Sequence, residues 1–351
     1  MVFVPKTVQP DPLIAQLRQT ATLQQILQTI PKHCFRKDAL KAGLGLVGNV
    51  LFVALGYWAL AVNPWLWLQP LLWIFTGTAL TGFFVLAHDC AHRSFANSRL
   101  INDLVGHLLL LPLLYPFHSW RIKHDQHHRY TNNLAWDNAW TPMAQEQFPV
   151  LSGFLQGLYR MARTWGWWLA SIGHWALLHF KPSLYKEGRD RRDMQFSVAV
   201  VLAFALVLFP ALWLYGGLWA VVNLWLMPFF VYHFWMSTFT IVHHTLEEIP
   251  FYQEEDWNPA VGQLFSTVHC RYPAWVEFLC HDINVHIPHH VSTGIPYYNL
   301  RAAHAALKAS WAEYMHETEF SWSLMQRIAA RCHLHDEQGA YVTFPDTYTA
   351  R

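Results

Sequence analysis

Residues 65–92 read WLWLQPLLWIFTGTALTGFFVLAHDCAH. No Asp, Glu, Lys or Arg interrupts this stretch before Asp89, and it closes on two histidines four positions apart, His88 and His92. A helix needs about 20 apolar residues to cross a bilayer, and this run supplies them. At i and i+4 the two imidazoles lie on one helical face. The segment therefore predicts a membrane span with two imidazoles on one face at its end.

Three further stretches pass the same length test. The four expected spans are Ala39–Val62, 65–87, 196–216 and 219–242. The first two join through Asn63 and Pro64, and the last two through Tyr215, Gly216 and Gly217. Joints this short force antiparallel neighbours, so two transmembrane hairpins are expected. Trp58, Trp65, Trp67, Trp73, Trp213 and Trp219 gather near the expected ends, as an aromatic belt does. The chain is 53% hydrophobic and only 13% charged. A soluble domain carries about 25% charged residues, so the balance points to a membrane.

The basic residues orient the hairpins. All 24 Lys and Arg lie before Ala42, between Arg93 and Arg192, or from Arg271 onward, and neither joint carries one. By the positive-inside rule the N-terminal, central and C-terminal segments face the cytoplasm. This divides the chain into a cytosolic N-terminal segment (1–38), hairpin 1 (39–87), a central cytosolic and interfacial segment (88–194), hairpin 2 (195–242) and a cytosolic C-terminal segment (243–351). The net charge of +1 gives no basis for a nucleic-acid partner, and none is expected.

Two shorter apolar runs, 104–117 and 166–180, are expected to be re-entrant or interfacial. Fourteen residues make roughly 21 Å of helix, short of a ~30 Å hydrocarbon core. Leu23, Ile26, Leu27 and Ile30 recur at helical spacing and predict an amphipathic helix lying on the membrane surface. The five cysteines are scattered without a CxxC pair, which predicts free thiols in a reducing compartment. The first 30 residues hold no apolar core of a cleaved signal peptide, and none is expected.

The fold class is thus all-α integral membrane: four transmembrane helices in two hairpins, with interfacial helices and a cytosolic cap. On that cap fall eight of the 22 histidines, in three compact boxes. His88 and His92 form HxxxH; His124, His127 and His128 form HxxHH; His286, His289 and His290 repeat HxxHH. One interfacial histidine or one HxxxH pair is ordinary. Three boxes of matched spacing at one expected membrane face are not. A run through 104–117 that truly crossed would put the second box on the wrong side, so length and co-location agree. At the end of the fourth span His243 and His244 offer a ninth ligand, with His244 preferred. Imidazoles alone suit Zn, Cu, Fe or Ni. Metal-bound imidazoles usually donate their other N–H to a carboxylate. Asp89, Asp125 and Asp282 sit beside the boxes, and Asn102, Asp103, Asp137 and Asn138 stand a little further off. Each acid has the alternative of being a solvated surface charge.

The boxes resemble those of the membrane fatty-acid desaturases. The stretches TALTGFFVLAHDCAHRSF (78–95), YPFHSWRIKHDQHHRYTN (115–132), MPFFVYHFWMSTFTIVHHT (227–245) and LCHDINVHIPHH (279–290) are similar to the cyanobacterial delta-12 acyl-lipid branch. The resemblance covers nearly the whole chain. It implies two non-haem irons held by His88, His92, His124, His127, His128, His286, His289, His290 and one further histidine, which His244 matches. His243, Asp89, Asp125 and Asp282 are then additional or supporting residues. It also implies O₂-dependent formation of a cis double bond in a membrane-lipid acyl chain, with oleoyl converted to 18:2. The resemblance further implies ferredoxin as the external electron donor and a cyanobacterial thylakoid or plasma membrane as the location. The basic cluster Lys181, Lys186, Arg189, Arg191 and Arg192 would suit an acidic donor, or merely reflect topology. Pro288 departs from the wider pattern and places a helix start within the third box.

Two rival readings stay open. A hydroxylase or ketolase on the same scaffold needs no different ligand set. A histidine-rich metal transporter needs ionisable groups along the span. Here the runs hold no Asp, Glu, Lys or Arg beyond Lys41 near an end, and in the fourth span His233 and Asn223 are the notable exceptions.

Overall fold

The structure is a computed structural model that describes residues 12–345; the outermost residues of the two terminal segments lie outside that range. It is mostly helical. The helices are α1 (Pro12–Thr20), α2 (Leu23–Gln28), α3 (Ala39–Val62), α4 (Gln69–Ala91), α5 (Arg99–Leu110), α6 (Phe117–Arg129), α7 (Gly153–Arg163), α8 (Ala170–Leu178), α9 (Arg189–Val221), α10 (Met227–His244), α11 (Ala274–Leu279), α12 (His286–Val291), α13 (Leu300–Trp311) and α14 (Trp322–Arg331). Short strands β1 (Met143–Ala144), β2 (Val268–Arg271), β3 (His316–Glu319), β4 (Leu334–His335) and β5 (Tyr341–Val342) stitch the polar end together. β2 and β3 pair in parallel, and β4 lies between β1 and β5.

Three apolar helical runs are long enough to cross a membrane: Ala39–Val62, Leu66–Ala91 and Arg189–His244. The last cannot be one straight rod across a bilayer, since 56 residues make about 84 Å of helix. It breaks at Gly216 and Gly217, where Gly217 takes φ 63°. Phe209 and Trp225, on either side of that break, pack edge to face at 4.9 Å, so the chain folds back. Glycine tolerates the left-handed backbone that the reversal requires.

α4 is the buried centre, packed against α3, α5 and α10. Small residues make this possible: Gly77 abuts Val231 and the Pro228 carbonyl, while Gly56 abuts Thr76. Close backbone approach of this kind is how helices pack in lipid. By contrast α3 leaves Leu40, Leu44, Val47, Leu51 and Trp58 exposed, and α9 leaves Leu206, Val207 and Leu214 exposed. Such continuous apolar faces fit acyl chains, not water. Two polar side chains of the last run find partners inside the protein, although His233 Nε2 is left without one. Asn223 Oδ1 accepts from Trp73 Nε1 at 2.8 Å, and the His233 ring pairs with the Ser171 hydroxyl at 2.8 Å.

Several expectations need correction. α4 continues to Ala91, beyond the expected end at 87, so His88 stands on its last turn instead of just past a span. α9 starts at Arg189, earlier than 196, since nothing obliges a helix to stop where its apolar run does. The run 104–117, expected to be re-entrant or interfacial, is split between α5, a 3₁₀ turn and the start of α6, a bent arrangement compatible with that expectation. The two parts bend by 102° about Leu114, which holds φ 50°. If that bent pair counts as one crossing, the number of candidate spans rises from three to four. The N-terminal amphipathic face does not rest on a membrane surface. Leu17, Ile26 and Ile30 are buried in one core with Val261, Phe265, Ile287, Ile295 and Leu307. Their apolar stripe found a protein partner in the cap. All five cysteines are free and buried.

Candidate metal centre

Each box sits on a rigid element. His88 occupies the last turn of α4 and His92 caps it. α6 carries His124, His127 and His128, and α10 ends on His243 and His244. α12 begins at His286, so Pro288 falls within the first turn, where a missing backbone donor costs nothing.

These elements gather the histidines into two groups. His88, His92, His124, His128 and His289 present ring nitrogens that all lie within 4.8 Å of one another. So do His127, His244 and His290. His286 joins the second group through His244, with the two Nε2 atoms 2.9 Å apart. His128 Nε2 lies 3.0 Å from the Nε2 atoms of both His124 and His289. His244 Nε2 likewise faces His127 at 3.2 Å and His286 at 2.9 Å.

One imidazole nitrogen carries either one proton or one lone pair. A nitrogen facing two others cannot satisfy both by hydrogen bonding alone. His92 Nε2 and His290 Nε2 are buried without any partner. Converging, unsatisfied lone pairs in a desolvated site fit metal cations, so the residues present suit a metal centre. Burial, followed by the neighbouring imidazoles, holds the rings of His286, His289 and His290 well below their ordinary pKa. They are neutral at physiological pH, as ligands must be.

The outer nitrogens show which acids matter. His127 Nδ1 donates to Asp137 Oδ1 at 2.7 Å, and Asp137 also accepts from the backbone of Asn132 at 2.7 Å and Ala139 at 2.9 Å. His290 Nδ1 lies 3.1 Å from both Gln263 Oε1 and Thr131 Oγ1. Asp89 and Asp125 stand 3.8 Å from His88 Nδ1 and 3.7 Å from His92 Nδ1, beyond hydrogen-bond reach. The Asp89 carboxylate instead accepts from Tyr297 N. Asp282 pairs with Arg301 at 2.6 Å, so its carboxylate is engaged elsewhere. His243 belongs to neither group. It stacks on Phe239 and lies 4.5 Å, ring to ring, from His286. Gln263 was not read from the sequence, since it lies in a π-turn (Val261–Phe265) far from any box and carries no spacing signal.

A cavity opens against both groups, touching His88 and His124 of one and His127, His244 and His286 of the other. Its remaining wall is largely apolar, with Phe84, Val85, Tyr115, Met236, Phe239 and Ile283.

The family model for fatty acid desaturases matches residues 64–321. The chain belongs to the fatty acid desaturase family. It is therefore an oxidoreductase and a membrane protein of lipid metabolism. Among curated relatives, it is 52% identical over 331 residues to the sn-1 oleoyl-lipid 12-desaturase of Anabaena variabilis, covering 94% of each chain. The enzyme of the same name from Synechocystis is 52% identical over 335 residues, covering 95% of this chain and 94% of the other. The chloroplastic omega-6 fatty acid desaturase of Spinacia oleracea is 45% identical over 331 residues, covering 93% of this chain and 73% of that one.

Proposed function

We propose that this desaturase introduces a cis double bond at carbon 12 of oleoyl chains esterified in membrane glycerolipids. The observation that carries the reading is the nine-histidine cluster with unsatisfied nitrogens on an apolar cavity. Similarity to the oleoyl-lipid 12-desaturases supports the position and the substrate.

In this reading His88, His92, His124, His128 and His289 hold one iron, and His127, His244, His286 and His290 hold the other. When bound, the iron pair supplies the O₂-dependent oxidising power that removes hydrogen from an unactivated C–H bond, chemistry that side chains lack. The protein does the rest. Asp137 accepts a hydrogen bond from His127 Nδ1–H and Gln263 orients His290, so that each ring turns its free nitrogen inward. Phe84, Met236, Phe239 and Ile283 exclude water and hold the acyl chain. The cavity has about 140 Å³ of free space, which suits the segment around the reacting carbons and not a whole chain.

The topology belongs to the same proposal. α3, α4 and the two arms either side of Gly216 and Gly217 make four crossings in two hairpins, divided along the chain as the basic residues divide it. The histidines then face the cytoplasm of a cyanobacterial thylakoid or plasma membrane. Electrons come from a separate donor, with ferredoxin the expected class. Lys181, Lys186, Arg189 and Arg192 are exposed and offer it a basic landing surface.

The test is expression in a host that makes oleate but no dienoic acids. The expected product is 18:2 with double bonds at carbons 9 and 12. A hydroxylated acid instead would keep the metal centre and transfer the chain to the sibling chemistry.

A further inference from the structure

The turn that carries Asp137 is held from two sides. On one, Asn138 Nδ2 donates to the Lys123 carbonyl of α6 at 2.9 Å. On the other stands Arg163, the last residue of α7. Its Nη2 donates to the carbonyl of Trp140, at 3.0 Å, and to that of Thr141. Its guanidinium also lies over the Trp140 ring, 4.3 Å from the centroid. One group thus grips both the backbone and the side chain of Trp140.

The grip falls on a conformation that needs it. Trp140 holds φ 57°, a left-handed backbone that a bulky side chain adopts only where its surroundings impose it. Thr141 closes back on the turn, its hydroxyl donating to the Asp137 carbonyl at 3.0 Å. These few residues serve both parts of the site. Asp137 accepts from His127, while Asn138, Ala139 and Trp140 wall the cavity.

Stability alone does not account for an arginine here. Arg163 is 4% exposed, and its Nη1 is buried without a partner. Among the described residues no carboxylate comes within 4.0 Å of it. A buried cation without a counter-charge is unfavourable, and an apolar side chain would be easier to bury. What arginine supplies, and lysine does not, is a rigid plane that stacks on an indole while its N–H groups reach the carbonyls beside it. We propose that Arg163 is a positioning residue: it locks the Trp140 turn so that Asp137 stays on His127 and the indole stays on the cavity wall. The proposal rests on the reading of His127 as an iron ligand.

The test compares Arg163→Lys, Arg163→Ala and Tyr159→Phe in the iron-loaded full chain. Tyr159, one turn earlier on α7, ties that helix to Met143 N at 2.8 Å and to the His333 carbonyl at 3.1 Å, so its variant reports on the docking of α7 alone. Hydrogen exchange reads the amides of Asn132 and Ala139, which donate to Asp137. Both Arg163 variants should exchange there about tenfold faster, lose one iron more readily to a chelator and desaturate about tenfold more slowly, the low end of the effect of losing a ligand's partner. Guanidinium ion should restore slow exchange and turnover to Arg163→Ala, and do nothing for Arg163→Lys, whose own side chain fills the space. Tyr159→Phe should leave Asn132 and Ala139 protected. Equal loosening in Tyr159→Phe and Arg163→Lys, spread over α7 and the cap, would overturn the proposal and leave Arg163 a fastening of the fold. Native exchange and native iron retention in Arg163→Lys would overturn it as well. Exchange is read whatever the product, so a failure of the proposed reaction shows separately, as absent 18:2 from the unsubstituted chain.

Discussion

The two histidine groups use the same side chain but are oriented by different means. In the group of His127, His244, His286 and His290, side chains from outside the helices fix two of the rings: Asp137 accepts a hydrogen bond from His127 at 2.7 Å, and Gln263 faces His290 at 3.1 Å. In the group of His88, His92, His124, His128 and His289, the outer nitrogens of His88 and His128 have no hydrogen-bond partner. There the helices themselves do the orienting, through the i, i+4 pairs on α4 and α6. Trp120 adds support by stacking on His124 at 4.4 Å. Buried polar side chains therefore hold His127 and His290, while His244 Nδ1, like His88 Nδ1 and His128 Nδ1, has no partner and relies on its helix. The hold on His127 and His290 should be the easier to weaken without touching a ligand.

Substitutions can break or sharpen that contrast. The largest effect is expected from His127→Ala or His290→Ala. Each should reduce desaturation to background while the protein still inserts in the membrane, as fatty-acid analysis and membrane fractionation would show. Near-native activity would remove that residue from the ligands. Next comes Asp137→Asn, which preserves shape but loses the carboxylate that fixes the His127 tautomer. Losses of this kind run to about 10–100-fold in metal affinity or activity. Metal analysis should find the iron held by His127 depleted first. Gln263→Leu removes neutral hydrogen bonds to His290, Thr131 and the His128 carbonyl and should cost about tenfold in activity. Smallest of all is Asp125→Asn, expected to stay within about twofold because Asp125 does not reach His92 and its side chain is 42% exposed. If Asp125→Asn proved as damaging as Asp137→Asn, the proposed difference between the two groups would collapse.

The sequence made part of this legible. Apolar runs and box spacing are local signals, so α3, α4, the glycine break and the eight box histidines could be read directly. His244 came from its place before Thr245 at a helix end. Tertiary partners were harder to foresee. Asp89, Asp125 and Asp137 all lie near a box in sequence, yet only Asp137 reaches a histidine within 3 Å, because the chain turns back after α6 through Asn132 and Asn133. Gln263 approaches from more than 130 residues beyond Thr131, with which it shares a hydrogen bond. The stripe of Leu23, Ile26 and Ile30 announced an apolar face but not what would cover it. Periodicity reports that a face is buried; only the fold says whether lipid or protein buries it.

The central claim is a pair of irons in one chain, and metal content measures it most directly. The purified, active protein should contain two irons per chain, and Asp137→Asn should lose iron preferentially from one of the two positions. An active preparation holding a single iron, or holding zinc in place of iron, would contradict the account.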